Sequence, residues 1–84
     1  NNQTNTQAAG TLTFNAPSGS PADGKSVIVV VQSTNAQTLA FNAIYRGSTD
    51  LPLPTTMPAG TNYFIFAYRS GATKYDLLSN VFGY

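Results

Sequence analysis

The chain reads as an all-β protein, a small antiparallel β-sandwich or jelly-roll-like barrel with an extended N-terminal arm. Three observations predict this: apolar residues recur at period two, Gly- and Pro-rich clusters separate the apolar runs, and no window carries the periodicity of a helix of useful length. Its 84 residues suit a single domain with a small core, and composition sets the boundaries at an arm over residues 1–10 and one β-domain over residues 11–84.

Residues 1–10, NNQTNTQAAG, hold no large apolar side chain and no charge, so nothing in them drives burial by itself. They are either a floppy terminus or an arm that, fully extended, reaches about 33 to 36 Å and so crosses onto a neighbouring subunit. From Thr11 the pattern becomes strand, with Leu12 and Phe14 alternating against Thr11 and Thr13. Residues 15–24 are dense in Pro, Gly and Ser and end in an Asp-Gly turn signal, so no strand is expected there. Residues 25–32 contain Val27, Ile28, Val29, Val30 and Val31, apolar on both faces of the pleat, as in a strand covered on two sides. A loop over 33–37 precedes a second alternating stretch, 38–42, with Leu39 and Phe41 inward, and residues 43–46 continue extended until Gly47. Pro52, Pro54 and Pro58 argue against helix and central strand over 51–58, which is expected to cross the surface as an extended connection. Residues 61–69 give the strongest strand, with Tyr63, Ile65 and Ala67 on one face and Phe64, Phe66 and Tyr68 on the other. A short hairpin connection over 70–73 leads into 74–82, where Tyr75, Leu77 and Val81 alternate against Asp76 and Leu78. Two strands apolar on both faces exceed what so small a domain covers internally, so one sheet face or edge should be closed by another chain.

Glutamate, histidine, cysteine and tryptophan are absent, and charge is confined to Asp23, Lys25, Arg46, Asp50, Arg69, Lys74 and Asp76. Imidazole, thiolate and paired carboxylates supply most of the groups that trade protons or hold metals near neutral pH. Their lack argues against an enzyme and for a binding or building part. Charged residues are 8% of the chain against about 25% in an ordinary soluble domain, and Asn, Thr, Ser and Gln fill the polar positions. A net charge of +1 gives no long-range field toward phosphate or acidic lipid, so neither nucleic acid nor membrane is an expected partner. The longest apolar run, 27–31, is far too short to span a bilayer. A first residue other than methionine is expected of a trimmed chain or an excised fragment.

Asp23 and Asp50 fall in expected turns, where an aspartate accepts backbone N–H bonds, and no D-x-D spacing suggests a calcium site. No metal and no cofactor is expected. Ser18 or Ser20 with Lys25 would make a serine–lysine pair only if the lysine were desolvated, which an open loop does not provide. Arg46 and Arg69 end apolar strands beside Tyr45 and Tyr68, a pattern able to stack on a base or a sugar, so these four residues are candidate ligand or partner contacts. The competing role for the arginines is to pair with Asp50 and Asp76. Tyr63 and Tyr75 are expected in core and sheet packing, whereas Tyr84, after Val81 and Phe82, is better explained by docking onto another subunit.

Four stretches together resemble a small β-domain of tailed-bacteriophage virion proteins, found in head-decoration, head-fibre and tail-fibre chains. They are NAPSGSPADGK at 15–25, LAFNAIYR at 39–46, LPTTMPAG at 53–60 and KYDL at 74–77. Order and spacing cover residues 10–84, and two positions often held by tryptophan in that family are Phe41 and Tyr75 here. The resemblance implies a non-enzymatic β-sandwich in a virion, assembled in the host cytoplasm and working as an oligomer. The expected partners are copies of itself, as a homotrimer, and the major capsid protein or other virion proteins. One arm plus one domain, without a fibre shaft, points to a capsid decoration or cement subunit. On that reading the arm, with Asn2, Thr4 and Thr6, spreads over a neighbouring capsomer, and Val81, Phe82 and Tyr84 build subunit contacts. The alternative is the receptor-binding tip of a tail or head fibre, with exposed tyrosines meeting host glycan.

Overall fold

Eight strands and no helix form in the computed structural model, which describes residues 2–17 and 21–84. They are β1 (Asn2–Asn5), β2 (Thr11–Phe14), β3 (Ser26–Ser33), β4 (Gln37–Phe41), β5 (Tyr45–Arg46), β6 (Thr56–Met57), β7 (Gly60–Arg69) and β8 (Lys74–Val81). A five-stranded sheet runs in the order β1-β3-β7-β8-β5, and a three-stranded sheet in the order β2-β4-β6 packs against it as a small β-sandwich. Both sheets are mixed rather than wholly antiparallel. The β3–β7, β7–β8 and β4–β6 pairs are antiparallel, whereas β1–β3, β2–β4 and β5–β8 are parallel. The cause is the path of the chain: every connection but the β7–β8 hairpin carries it from one sheet to the other, so neighbours in a sheet are rarely neighbours in sequence.

The core lies between the sheets. Val29 and Val31 of β3, Phe64, Phe66 and Tyr68 of β7, and Tyr75 and Leu77 of β8 face Leu39 of β4 and Met57 of β6. Phe14 and Phe64 meet edge-on across the layers with ring centroids 4.9 Å apart, while Phe14 and Phe41 at 4.7 Å and Tyr45 and Phe66 at 5.0 Å pack within their own sheets. Leu12 and Phe14 face the core as their alternation predicts.

Four local expectations are corrected. The proline-rich connection contains a strand after all: Thr56 and Met57 lie between the prolines, pair with Thr38 and Gln37, and bury Met57. The extended run expected over 43–46 is broken by a turn, because the Asn42 side chain accepts the Ile44 N–H and its carbonyl accepts the Tyr45 N–H. In the last strand a β-bulge changes the phase. Ile65 faces Ser79 but Phe66 faces Leu77, so Leu78 is the extra residue, and from there Asn80 takes the inward place and Val81 the outward one. Tyr63, expected in sheet packing, stands on the open face of β7 and is exposed.

The arm lies on its own domain. Residues 2–5 pair parallel with Val30 to Ser33, and the segment is held by amide hydrogen bonds instead of apolar burial. Asn5 Nδ2 donates to Ser33 Oγ at 3.1 Å, Gln7 Nε2 donates to Gln37 Oε1 at 2.6 Å, and Asn35 Nδ2 donates to the Gln7 carbonyl at 2.9 Å. Gln37 is buried, and its Nε2 spreads over the carbonyls of Gln7, Ala8 and Asn35. The uncharged, amide-rich composition of the arm matches that of the β3–β4 connection that receives it.

Candidate assembly surface

The five-stranded sheet turns one face to the core and leaves the other to solvent. Strand parity fixes which residues line the open face: Ile28 and Val30 from β3, Tyr63, Ile65 and Ala67 from β7, and Leu78 and Val81 from β8. Register joins five of them, since Ile28 is opposite Ile65, Val30 opposite Tyr63, and Tyr63 opposite Val81, while Leu78 stands at the bulge next to Ser79, the β8 partner of Ile65. Ile28 is 50% exposed, Leu78 57%, Val81 45%, Tyr63 37% and Tyr84 73%. Tyr84 extends the patch: its N–H and carbonyl exchange hydrogen bonds with Thr61, and its ring meets that of Tyr63 edge-on at 5.4 Å.

Charge stays at the margin of this patch. Arg46 and Asp76 face each other across the β5–β8 pairing, with Nε to Oδ1 at 2.6 Å and Nη2 to Oδ2 at 2.9 Å. The guanidinium holds the Asp76 carboxyl below its ordinary 3.8 and is itself pushed up by the carboxylate. Asp23 accepts the Ser70 N–H at 2.8 Å, which lowers its pKa, with Arg69 3.7 Å away. Lys74 Nζ donates to the Ala43 carbonyl. The arginines thus pair with Asp76 and Asp23, and Asp50 takes no part.

The structure divides the residues named from sequence. Val81 and Tyr84 lie on the open face, whereas Phe82 packs inward, 5.4 Å from Phe64. Asn2 and Thr4 occupy β1 opposite Val30 and Gln32, and exposed Thr6 follows them. Tyr45 and Tyr68, expected as exposed contacts, point inward. Tyr68 is buried against Tyr75, and Tyr45 lies among Phe14, Phe66 and Tyr75 with its hydroxyl donating to the Asn15 carbonyl. Inward-facing alternation at the sheet rim took both rings, leaving Arg46 and Arg69 exposed without an aromatic partner for a sugar. Ser18 and Ser20 lie outside the described residues. Reasoning from sequence did not name Ile28 and Leu78 as site residues, although the doubly apolar run carried the signal for Ile28 and the alternation of Leu78 with Asp76 against Leu77 carried that for Leu78.

One cleft of about 300 Å³ opens between β1 and β2, lined by Gln3, Asn5, Leu12, Phe14, Val29, Val31 and Tyr45 among others. Its ionisable group is the Tyr45 phenol, pushed above 10.0 by burial and secondarily by Tyr75. Among the described residues no cluster of three or more His, Cys, Asp or Glu could hold a metal. No protein-family model, curated protein or solved structure matches the chain.

Proposed function

We propose that the protein is a structural subunit of a virion surface, a decoration or cement element that binds the capsid lattice as an oligomer and stabilises it. The observation that supports this reading is the open face of the five-stranded sheet, an apolar patch across three strands with its ion pairs kept to the edge. Patches of this kind on small domains mark protein interfaces. The virion setting comes from the sequence resemblance, and the chemistry of the surface agrees with it: amides and hydroxyls for solubility, few charges, and association through burial instead of ionic steering. The fibre-tip alternative loses Tyr45 and Tyr68, whose rings face inward, and keeps only Tyr63 and Tyr84 as exposed tyrosines.

Cryo-electron microscopy of purified particles from cells producing the protein tests the proposal. The expected image places the chain at regular positions on the capsid exterior with the β3-β7-β8 face turned onto protein. Absence from the particles, or that face bare on an otherwise ordered subunit, overturns it.

A further inference from the structure

We infer that the open face of the five-stranded sheet is an interface between two copies of this chain, stacked sheet on sheet about a two-fold axis. The inference rests on the reading that the protein works assembled, and it names the partner of that surface. Two features of the face select a second copy.

The first is charge. Its centre, Ile28, Ile65, Tyr63, Val81 and Leu78, carries none, and the ion pairs at its margin, Arg46 with Asp76 and Arg69 with Asp23, are each neutral as a unit. At its centre an identical face therefore meets no like-charge repulsion, whereas a charged partner surface would have to be desolvated against hydrocarbon.

The second is area. With about 200 Å² for a large side chain, the five most exposed ones together present roughly 500 Å² per copy, so two copies remove roughly 1,000 Å². That reaches the lower bound of about 1,000 Å² for a specific interface, and half-buried Val30, Ile65 and Ala67 on the same face add to it.

A pleated face also has the right form. Sheets stack about 10 Å apart with their strands near −30°, and a face that docks on its own copy closes at two members. The result is a dimer with the three-stranded sheets outermost, in place of the homotrimer expected from sequence.

Sedimentation velocity of the full chain, from micromolar to near-millimolar concentration and in both dilute buffer and molar salt, tests the inference. A reversible monomer–dimer equilibrium is expected, with an association constant that does not fall in high salt. Leu78→Asp places an unpaired carboxylate in the stack and weakens association by roughly 100-fold or more. Val81→Thr, which keeps the β-branched shape and the strand, weakens it several-fold; circular dichroism confirms that each variant is folded. A monomer at every concentration, a trimer, or variants that associate like the parent overturns the inference. A monomer that still decorates particles removes the two-copy interface and leaves the virion reading. A dimer absent from particles does the reverse.

Discussion

Asn62 shows how one polar side chain organises the end of the fold. It is wholly buried in β7, where its Nδ2 donates to the carbonyls of Pro58 and Gly60 at 3.1 Å each, and its Oδ1 accepts the Gly83 N–H at 3.0 Å. A buried amide with these partners stabilises, and the same carbonyls left without it are penalised. Asn62→Ala is therefore expected to cost about 2 to 3 kcal/mol in a denaturant titration. It should also speed amide exchange at Tyr84, whose pairing with Thr61 lies next to the amide's bond to Gly83. Unchanged stability with unchanged exchange would contradict this role of Asn62. Gly47 acts through space. A Cβ there would collide with the backbone nitrogen of Leu53 and lie 2.8 Å from the Pro52 carbonyl carbon, and neither atom can yield as a side chain would. Gly47→Ala should lower stability by about 1 to 3 kcal/mol, as overpacking does; a melting temperature equal to that of the parent would contradict this. From sequence Gly47 was legible only as a chain break, because the approach of the 52–53 backbone is a tertiary fact.

At the scale of elements, the strands that carry alternation were the readable ones. β2, β3, β7 and the first half of β8 follow period two, and the two faces of β7 divide as its residues predict. Three elements escaped for separate physical reasons. β6 needs only Thr56 and Met57 between prolines, and a two-residue strand has no period to read. The bulge at Leu78 inverts parity partway along β8, so strict alternation assigns Val81 to the inner face instead of the open one. The arm's order depends on hydrogen bonds between residues 28 to 30 positions apart, and no local pattern encodes such pairings. That arm carries its own prediction. Gln37→Leu keeps the volume and apolar packing of the site but removes the amide that bridges Gln7, Ala8 and Asn35. Amide exchange at Thr34, whose N–H bonds the Asn5 carbonyl, should accelerate by an amount equal to about 1 to 2 kcal/mol of local opening. Exchange there at the parent rate would mean the amides do not hold the arm.

On the whole molecule, scarcity of charge sets the response to pH. Asp76 and Asp23 have folded-state pKa values below the ordinary 3.8, so each contributes stability that is complete above the unfolded value and is lost as pH falls through the depressed one. Tyr45 is shifted upward from 10.0; its neutral form is favoured in the folded state, so its contribution is complete below that value and is lost as pH rises past it. With no histidine, glutamate or cysteine side chain in the sequence, stability should be level from about pH 5 to 9 and fall on both sides. A transition near pH 6 in a denaturation series would contradict the assignment. In the proposed assembly the same scarcity leaves apolar burial as the means by which one copy would meet another surface. Whether the β3-β7-β8 face is covered when the protein works, as proposed, can be read most directly by thiol labelling, since the sequence has no cysteine to interfere. Leu78→Cys on the open face and Asp50→Cys in the β5–β6 connection are each treated with a maleimide, as dilute protein and in the assembled state. Leu78→Cys is predicted to label readily when dilute and to be protected on assembly while Asp50→Cys labels alike in both; equal labelling of Leu78→Cys in the two states would contradict the claim.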